Sequence, residues 1–208
     1  MSGRGGGAGQ RLAARMVPDG WEPPQYARVK PRLLAPLAGE VVEIGPGAGI
    51  NLGYYGPGVR WTGVEPNPHL HERIRRGAAR AGLSARLIPG RAERIDAADS
   101  SVDAVVGTLV LCSVADADRV LAEVLRVLRP GGRYVFLEHV AAPPATRTRR
   151  AQDVLSPVLR RLPGGCRYNR ETGAAIARAG FGAVEHDGFD LPVSFGLELP
   201  HIAGTAVK

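Results

Sequence analysis

The chain has little lysine, little cysteine and few aromatics, and each shortage excludes something. Of its 27 basic residues only Lys30 and Lys208 are lysine, a skew that, with abundant Ala, Gly and Pro, reads as high-GC codon usage. Cysteine occurs only at Cys112 and Cys166, too few for a disulfide framework in 208 residues, which fits a reducing, cytoplasmic setting. Aromatics make up 5% of the chain. So few stacking platforms, with basic residues mostly scattered, argue against nucleic-acid binding despite a net charge of +7. No apolar run reaches the ~18 residues of a membrane-spanning helix, so no transmembrane segment is expected. Met1–Gln10 is glycine-rich with Arg4 as its only charge, and it lacks the apolar stretch of a secretory signal. Residues 1–20 therefore read as a flexible tail, and no internal repeat appears.

What is present suits one domain spanning residues 21–208. Its most informative stretch is Val41-Val42-Glu43-Ile44-Gly45-Pro46-Gly47-Ala48-Gly49-Ile50. A short apolar strand runs into three glycines at alternate positions, where a ligand can approach the main chain. The dinucleotide fingerprint G-x-G-x-x-G would need glycine at position 50, where Ile50 stands. Strands expected over 41–44, 60–64, 85–88, 103–107 and 133–138 alternate with helices expected over 68–81 and 116–128, which argues for a parallel sheet covered on both faces. Beyond Ala142 the pattern predicts helices over 146–161 and 170–179, the second capped by Asn169, and strands over 182–188 and 201–207. Arg126 and Arg129 suit the last turn of the helix before Pro130-Gly131-Gly132. Residues 21–40 read as a segment that covers the cofactor, with Trp21 and Tyr26 closing over it or simply packing.

Glu65 ends the second strand, 20 residues beyond Gly45, where its carboxylate can accept hydrogen bonds from both ribose hydroxyls of a bound nucleoside. Gly90-Arg91-Ala92-Glu93, then Ser101-Val102-Asp103-Ala104-Val105-Val106, then Leu128-Arg129-Pro130-Gly131-Gly132 follow in order. Together with the glycine turn, this series resembles class I S-adenosylmethionine (SAM) methyltransferases. The resemblance implies a Rossmann-like α/β fold: a three-layer sandwich around a seven-stranded, mostly parallel sheet with a reversed C-terminal strand. It implies SAM as cofactor and S-adenosylhomocysteine as product. By position, Glu43 would support the methionine ammonium, and Gly45, Gly47 and Gly49 would line the methionine and ribose. Glu65 would hold the ribose, and Ala92 and Glu93 would border the adenine. Asn51, Pro66, Thr108 and Leu109 complete the implied cofactor set, the last two close to the donor methyl.

Thr108-Leu109-Val110-Leu111-Cys112-Ser113-Val114, Glu138-His139-Val140, Gly165-Cys166, Arg170-Glu171 and Pro200-His201-Ile202-Ala203-Gly204-Thr205-Ala206-Val207-Lys208 are similar to the alkyl-thiol S-methyltransferases. Eukaryotic members of that group carry an apolar N-terminal anchor, which residues 1–40 lack. The implied reaction is methyl transfer to a small-molecule thiol. The alternative is C-, O- or N-methylation of a quinone, a natural product or a phospholipid. A thiol reacts as its thiolate, so a base near the donor suffices. His139, just past a strand end, is the leading candidate, with backbone bonding as its alternative. Cys112 and Cys166 are further candidates for a chemical role, each with packing as the alternative. Arg170 reads as either a guide for an anionic acceptor or a solvated charge. Cys112, His139, Cys166 and His186 have none of the local spacings of a zinc site, so no metal is expected. Oligomeric state is not legible.

Overall fold

Seven strands form one sheet in the order β3-β2-β1-β4-β5-β7-β6. They are β1 (Gly39–Ile44), β2 (Val59–Val64), β3 (Ala85–Ile88), β4 (Val102–Thr108), β5 (Leu128–His139), β6 (Ala183–Val193) and β7 (Leu197–Val207). β1 to β5 are parallel, whereas β7 runs antiparallel to both β5 and β6. The helices are α1 (Gly6–Met16), α2 (Pro24–Leu34), α3 (His71–Arg80), α4 (Ala117–Val127), α5 (Arg147–Leu159) and α6 (Thr172–Arg178). This computed structural model describes residues 6–16, 20–162, 165–193 and 196–208. Among them, no helix is long and apolar enough to cross a membrane.

Two apolar clusters cover the two faces of the sheet, giving the expected three layers. On one face Val120, Leu121 and Val124 of α4 pack with Ile176 of α6 against Val105, Tyr134 and Phe136. The three α4 residues are fully buried, and their helical spacing makes α4 a helix with one apolar stripe. Each such side chain stabilises the packing by about 1.5–3 kcal/mol. On the other face Leu34 of α2 and Ile74 and Ala78 of α3 cover Val41, Trp61 and Val106. Helix starts follow the local chemistry: Asp116 accepts from the Arg119 N–H at 3.0 Å, and Thr146 from the Arg149 N–H at 3.1 Å.

Several local expectations need correction. Residues 6–16, read as part of a flexible tail, form α1, which is anchored where Asn67 and Arg73 donate to the carbonyls of Gln10 and Ala14. Residues 1–5 and 17–19 of that expected tail lie outside the described residues. Asn169 does not cap α6; its amide donates to Asp153 and its N–H to Ser156, tying it to α5, and Glu171 precedes the helix instead. Arg129 is not helical: the chain enters β5 at Leu128, and Arg129 pairs with Asp103 across a register shift in the β4–β5 ladder. The Pro-Gly-Gly turn is drawn into this strand because Gly131 and Gly132 exchange backbone hydrogen bonds with Lys208, the last residue. β6 and β7 extend past their expected limits, to Val193 and back to Leu197. Pro192 and Pro200 hid this hairpin, yet Pro192 lies on the edge strand β6, where a missing N–H is tolerated, and Pro200 lies on β7 just past its last pairing with β5 at His201.

Candidate active site

The parallel strands β1, β2 and β4 deliver their carboxyl ends to one edge of the sheet, and the site is built there. At the end of β1, Gly45 and Gly47 adopt φ +59° and +58°, in the left-handed region that favours glycine. A Cβ on Gly45 would lie 2.9 Å from Val110, whereas one on Gly47 would meet nothing nearer than a carbonyl at 4.0 Å. Beside them opens a crevice of about 770 Å³. That lies within the range of small-molecule sites. Gly45, Gly47, Glu65, Pro66, Ala92, Glu93, Leu109 and Val110 all line it. So do Gly9, Gln10 and Ala13 of α1, which makes this helix a wall of the crevice.

Glu65 is buried at the mouth of β2. Its oxygens accept from the N–H of Asn67 at 2.8 Å and of Gly47 at 3.2 Å, so the acid and the glycine turn are tied together. Burial pushes its carboxyl above the ordinary value, against the pull of those two N–H groups. Leu109, just past β4, holds φ +56°, an uncommon conformation for a non-glycine residue. Glu138 fixes this bend: one of its oxygens accepts from the Val110 N–H at 2.9 Å and the Leu111 N–H at 3.0 Å. Burial pushes its carboxyl up to about 8. Nothing local in the sequence marks Glu138 for this role: a single acid directly after the apolar run Tyr134-Val135-Phe136-Leu137 gives no signal of what it will hold.

Other residues of the expected cofactor set stand apart from the crevice wall. Glu43 is fully buried and accepts from Asn51, Tyr55 and Trp61, each at 2.8 Å. Asn51 also donates to Thr108 at 2.9 Å, and its own carbonyl oxygen is buried without a partner. Glu43, Asn51 and Thr108 thus form one polar network linking the ends of β1 and β4. Gly49 (φ +77°) turns away from the crevice; a Cβ there would lie 2.7 Å from Leu52. The glycine serves the close packing of the 3-10 turn Ile50–Tyr54.

A second group lies past Leu109. The ligand atoms of Cys112, His139 and Cys166 all lie within 4.8 Å of one another. Cys112 and His139 are buried, and Cys166 is half-buried. His139 stacks on Tyr168 with ring centroids 4.5 Å apart and planes 12° apart. Its ring contacts the Cys166 thiol, and at least one ring nitrogen is buried without a hydrogen-bond partner. The Cys112 thiol hydrogen-bonds to Cys166, which holds the Cys166 thiol well below its usual range and pushes Cys112 well above it; His139 adds to the lowering. Chain spacing gave no sign of this convergence, because the three residues arrive from the ends of β4 and β5 and from the loop after α5. His186 lies elsewhere, on β6 against Phe136.

The remaining expected residues have structural partners. Tyr26 of α2 donates to His201 at 2.8 Å and packs edge-on to Phe189; Trp21 is largely exposed. The segment 21–40 thus covers β5 and β7 through Tyr26, Leu137 and Ala203, while the crevice wall comes from α1. Arg170 is half-buried, and its guanidinium donates to the carbonyls of Leu111 and Val114. It braces the loop that carries Cys112.

Comparison with known proteins agrees with this architecture. Residues 42–136, from β1 to β5, match the methyltransferase domain family. The chain is 42% identical to human thiol S-methyltransferase TMT1A over 171 residues, 81% of this chain and 70% of that protein. It is 40% identical to rat thiol S-methyltransferase TMT1B over the same shares. Alignments of that extent necessarily span Glu43 to Cys166. Among solved structures, the YcgJ protein of Bacillus subtilis shares the fold with a TM-score of 0.68 at 18% identity, covering 97% of this chain and 98% of that one. The strand order, with β7 alone reversed between its neighbours, is that of a class I methyltransferase fold. The chain belongs to the class I methyltransferases, in the family that holds the thiol S-methyltransferases.

Proposed function

We propose that this chain transfers a methyl group from SAM to a small-molecule thiol. One observation carries the reading: Leu109 lines the crevice beside the glycine turn, and its carbonyl accepts at 3.4 Å from the thiol of Cys112, a member of the sulfur–imidazole cluster of Cys112, His139 and Cys166. The crevice fits the donor. Gly47 leaves open space where any side chain would project, and Glu65 keeps acceptor capacity beyond its two backbone N–H groups. SAM supplies a methyl group on a sulfonium, ready for in-line displacement. Glu65 would hold the ribose hydroxyls, and Ala92 and Glu93 would flank the base. The buried network of Glu43, Asn51 and Thr108 would brace the methionine end of the site from behind the glycine turn.

The protein's remaining work is alignment and deprotonation. The stiff bend at Leu109, clamped by Glu138, fixes the floor between donor and acceptor. The buried cluster is the group that would receive a thiol and favour its thiolate. Both relatives named above are thiol S-methyltransferases, which supports the same acceptor class. Cys112 and Cys166 form no disulfide, which suits a reducing compartment. The test is turnover by the purified full chain with SAM against small aliphatic thiols, a quinol and a lipid amine, read as S-adenosylhomocysteine released. Turnover on thiols is expected. Turnover confined to the quinol or the amine overturns the acceptor assignment.

A further inference from the structure

Two thiols and an imidazole, mutually within 4.8 Å and largely withdrawn from water, form an uncommon group in a chain that has only two cysteines. Its composition fits a soft or borderline cation: thiolate and imidazole are the donor set of zinc. Its count is also informative. Among the described residues no fourth histidine, cysteine or carboxylate joins the group. Structural zinc sites use four protein ligands, whereas sites that do chemistry use three and leave one position open. His139 supplies a further sign: this imidazole is buried, its polar contact is the Cys166 thiol of the same group, and at least one ring nitrogen is left without a partner. Leaving a buried polar group unsatisfied is costly, and a cation would satisfy it.

The surroundings fix the donors as a site needs. Stacking on Tyr168 sets the imidazole plane. The loop carrying Cys112 is braced by the Arg170 guanidinium and by the Arg167 N–H, which donates to the Cys112 carbonyl at 2.9 Å. Cys166 is half-buried and so is the most accessible of the three donors.

The geometry points to a zinc site formed by Cys112, His139 and Cys166, whose open fourth position takes the acceptor thiol as its thiolate. The ion site stands on the cluster alone; its open position rests on the thiol-acceptor reading. On binding, Cys112 and the acceptor release their protons to solvent, Cys166 is already a thiolate, and the acceptor sulfur bonds to the ion. That sulfur then attacks the donor methyl carbon. A new carbon–sulfur bond forms, the sulfonium carbon–sulfur bond breaks, and its electron pair stays on the departing thioether. The methylated product is a neutral thioether, a poorer ligand than a thiolate, and it leaves the ion. Nothing is oxidised or reduced.

Cobalt(II) is a coloured probe for such a site. Full-length protein, reduced and stripped with a chelator, should take up one equivalent of Co²⁺. A thiolate-to-metal charge-transfer band and intense four-coordinate visible bands should appear, and excess Zn²⁺ should abolish both. Cys166→Ser, at a half-buried position, should weaken the charge-transfer band, and His139→Ala should lower cobalt affinity by about 100-fold or more, beyond what losing a second-shell partner costs. A small aliphatic thiol, added without SAM, should shift the visible bands. Folded wild-type protein with no charge-transfer band, or a Cys166→Ser spectrum identical to wild type, overturns the ion site. A cobalt spectrum that thiols leave unmoved overturns the open position. Thiol turnover without metal uptake removes the ion and leaves the transferase reading intact. Metal uptake with turnover only on non-thiol acceptors does the reverse.

Discussion

Replacing Glu65 by glutamine should separate cofactor affinity from fold stability, because the two depend on its charge with opposite signs. The carboxylate offers four lone-pair directions. Asn67 and Gly47 use two of them, at 2.8 and 3.2 Å, which leaves two for the vicinal hydroxyls of a ribose. Hydrogen bonds to a charged partner contribute about 1.5–3 kcal/mol each. An amide keeps one oxygen, loses the charge and turns donor hydrogens toward one of those N–H groups. A loss of about 3 kcal/mol in binding follows, or about 100-fold in affinity. Stability should move the other way. Burial raises the folded-state pKa of Glu65 above its ordinary value of 4.5, so the folded chain holds the proton more tightly than the unfolded chain. The ionised form therefore subtracts from stability as pH rises above that value. Glutamine carries no such penalty, so the melting temperature of Glu65→Gln, relative to wild type, should climb from pH 4.5 toward neutrality. Calorimetry with S-adenosylhomocysteine and melts across that range read both effects. Unchanged affinity would refute the ribose contact, and a variant that falls further below wild type as pH rises would refute the charge argument.

Other substitutions test the framework around the site. Gly47→Ala should cost only the left-handed backbone penalty, about 1–2 kcal/mol, since nothing lies within contact of the new Cβ. Gly45→Ala adds a 2.9 Å approach to Val110 and should melt lower; equal melting temperatures would contradict that difference. Glu138→Ala leaves the Val110 and Leu111 N–H groups without their acceptor and should cost about 2–6 kcal/mol in urea unfolding. A neutral result there would mean that the Leu109 bend holds itself. Asp116→Ala removes the α4 N-cap and should cost about 1 kcal/mol in the same assay, with cofactor binding unchanged.

The elements that were legible in the sequence are those whose information is local. α4 declares itself through its apolar stripe and its capping aspartate, and β1 through Val41, Val42 and the glycines that end it. Glu65 was placed against the glycine turn by counting residues, since a strand–turn–helix–strand unit has a nearly fixed length. Less legible was anything stabilised by partners far along the chain. α1 has a glycine-rich, weakly helical start and is held by Asn67 and Arg73. Asn169 looks like a cap by composition, yet Asp153 and Ser156 of α5 claim it first. Gly49 belongs to the same triplet as Gly45 and Gly47, and only the packing of Leu52 decides that it faces the other way.

The sequence by itself determined the alternation of strands and helices and the glycine turn with Glu65 beside it. These arise from short-range rules: hydrophobic period, capping, backbone angles that glycine alone adopts freely, and the nearly fixed length of a strand–turn–helix–strand unit. The strand order and the rest of the expected donor set came from the family resemblance. The tertiary structure alone decided the sulfur–imidazole cluster. Cys112, His139 and Cys166 stand far apart along the chain, and they meet because β4 and β5 are neighbours that end at the same edge, with the loop after α5 folding back over them. No local periodicity encodes a meeting of that kind, since it depends on strand order, and strand order is settled by how the whole sheet buries its two faces.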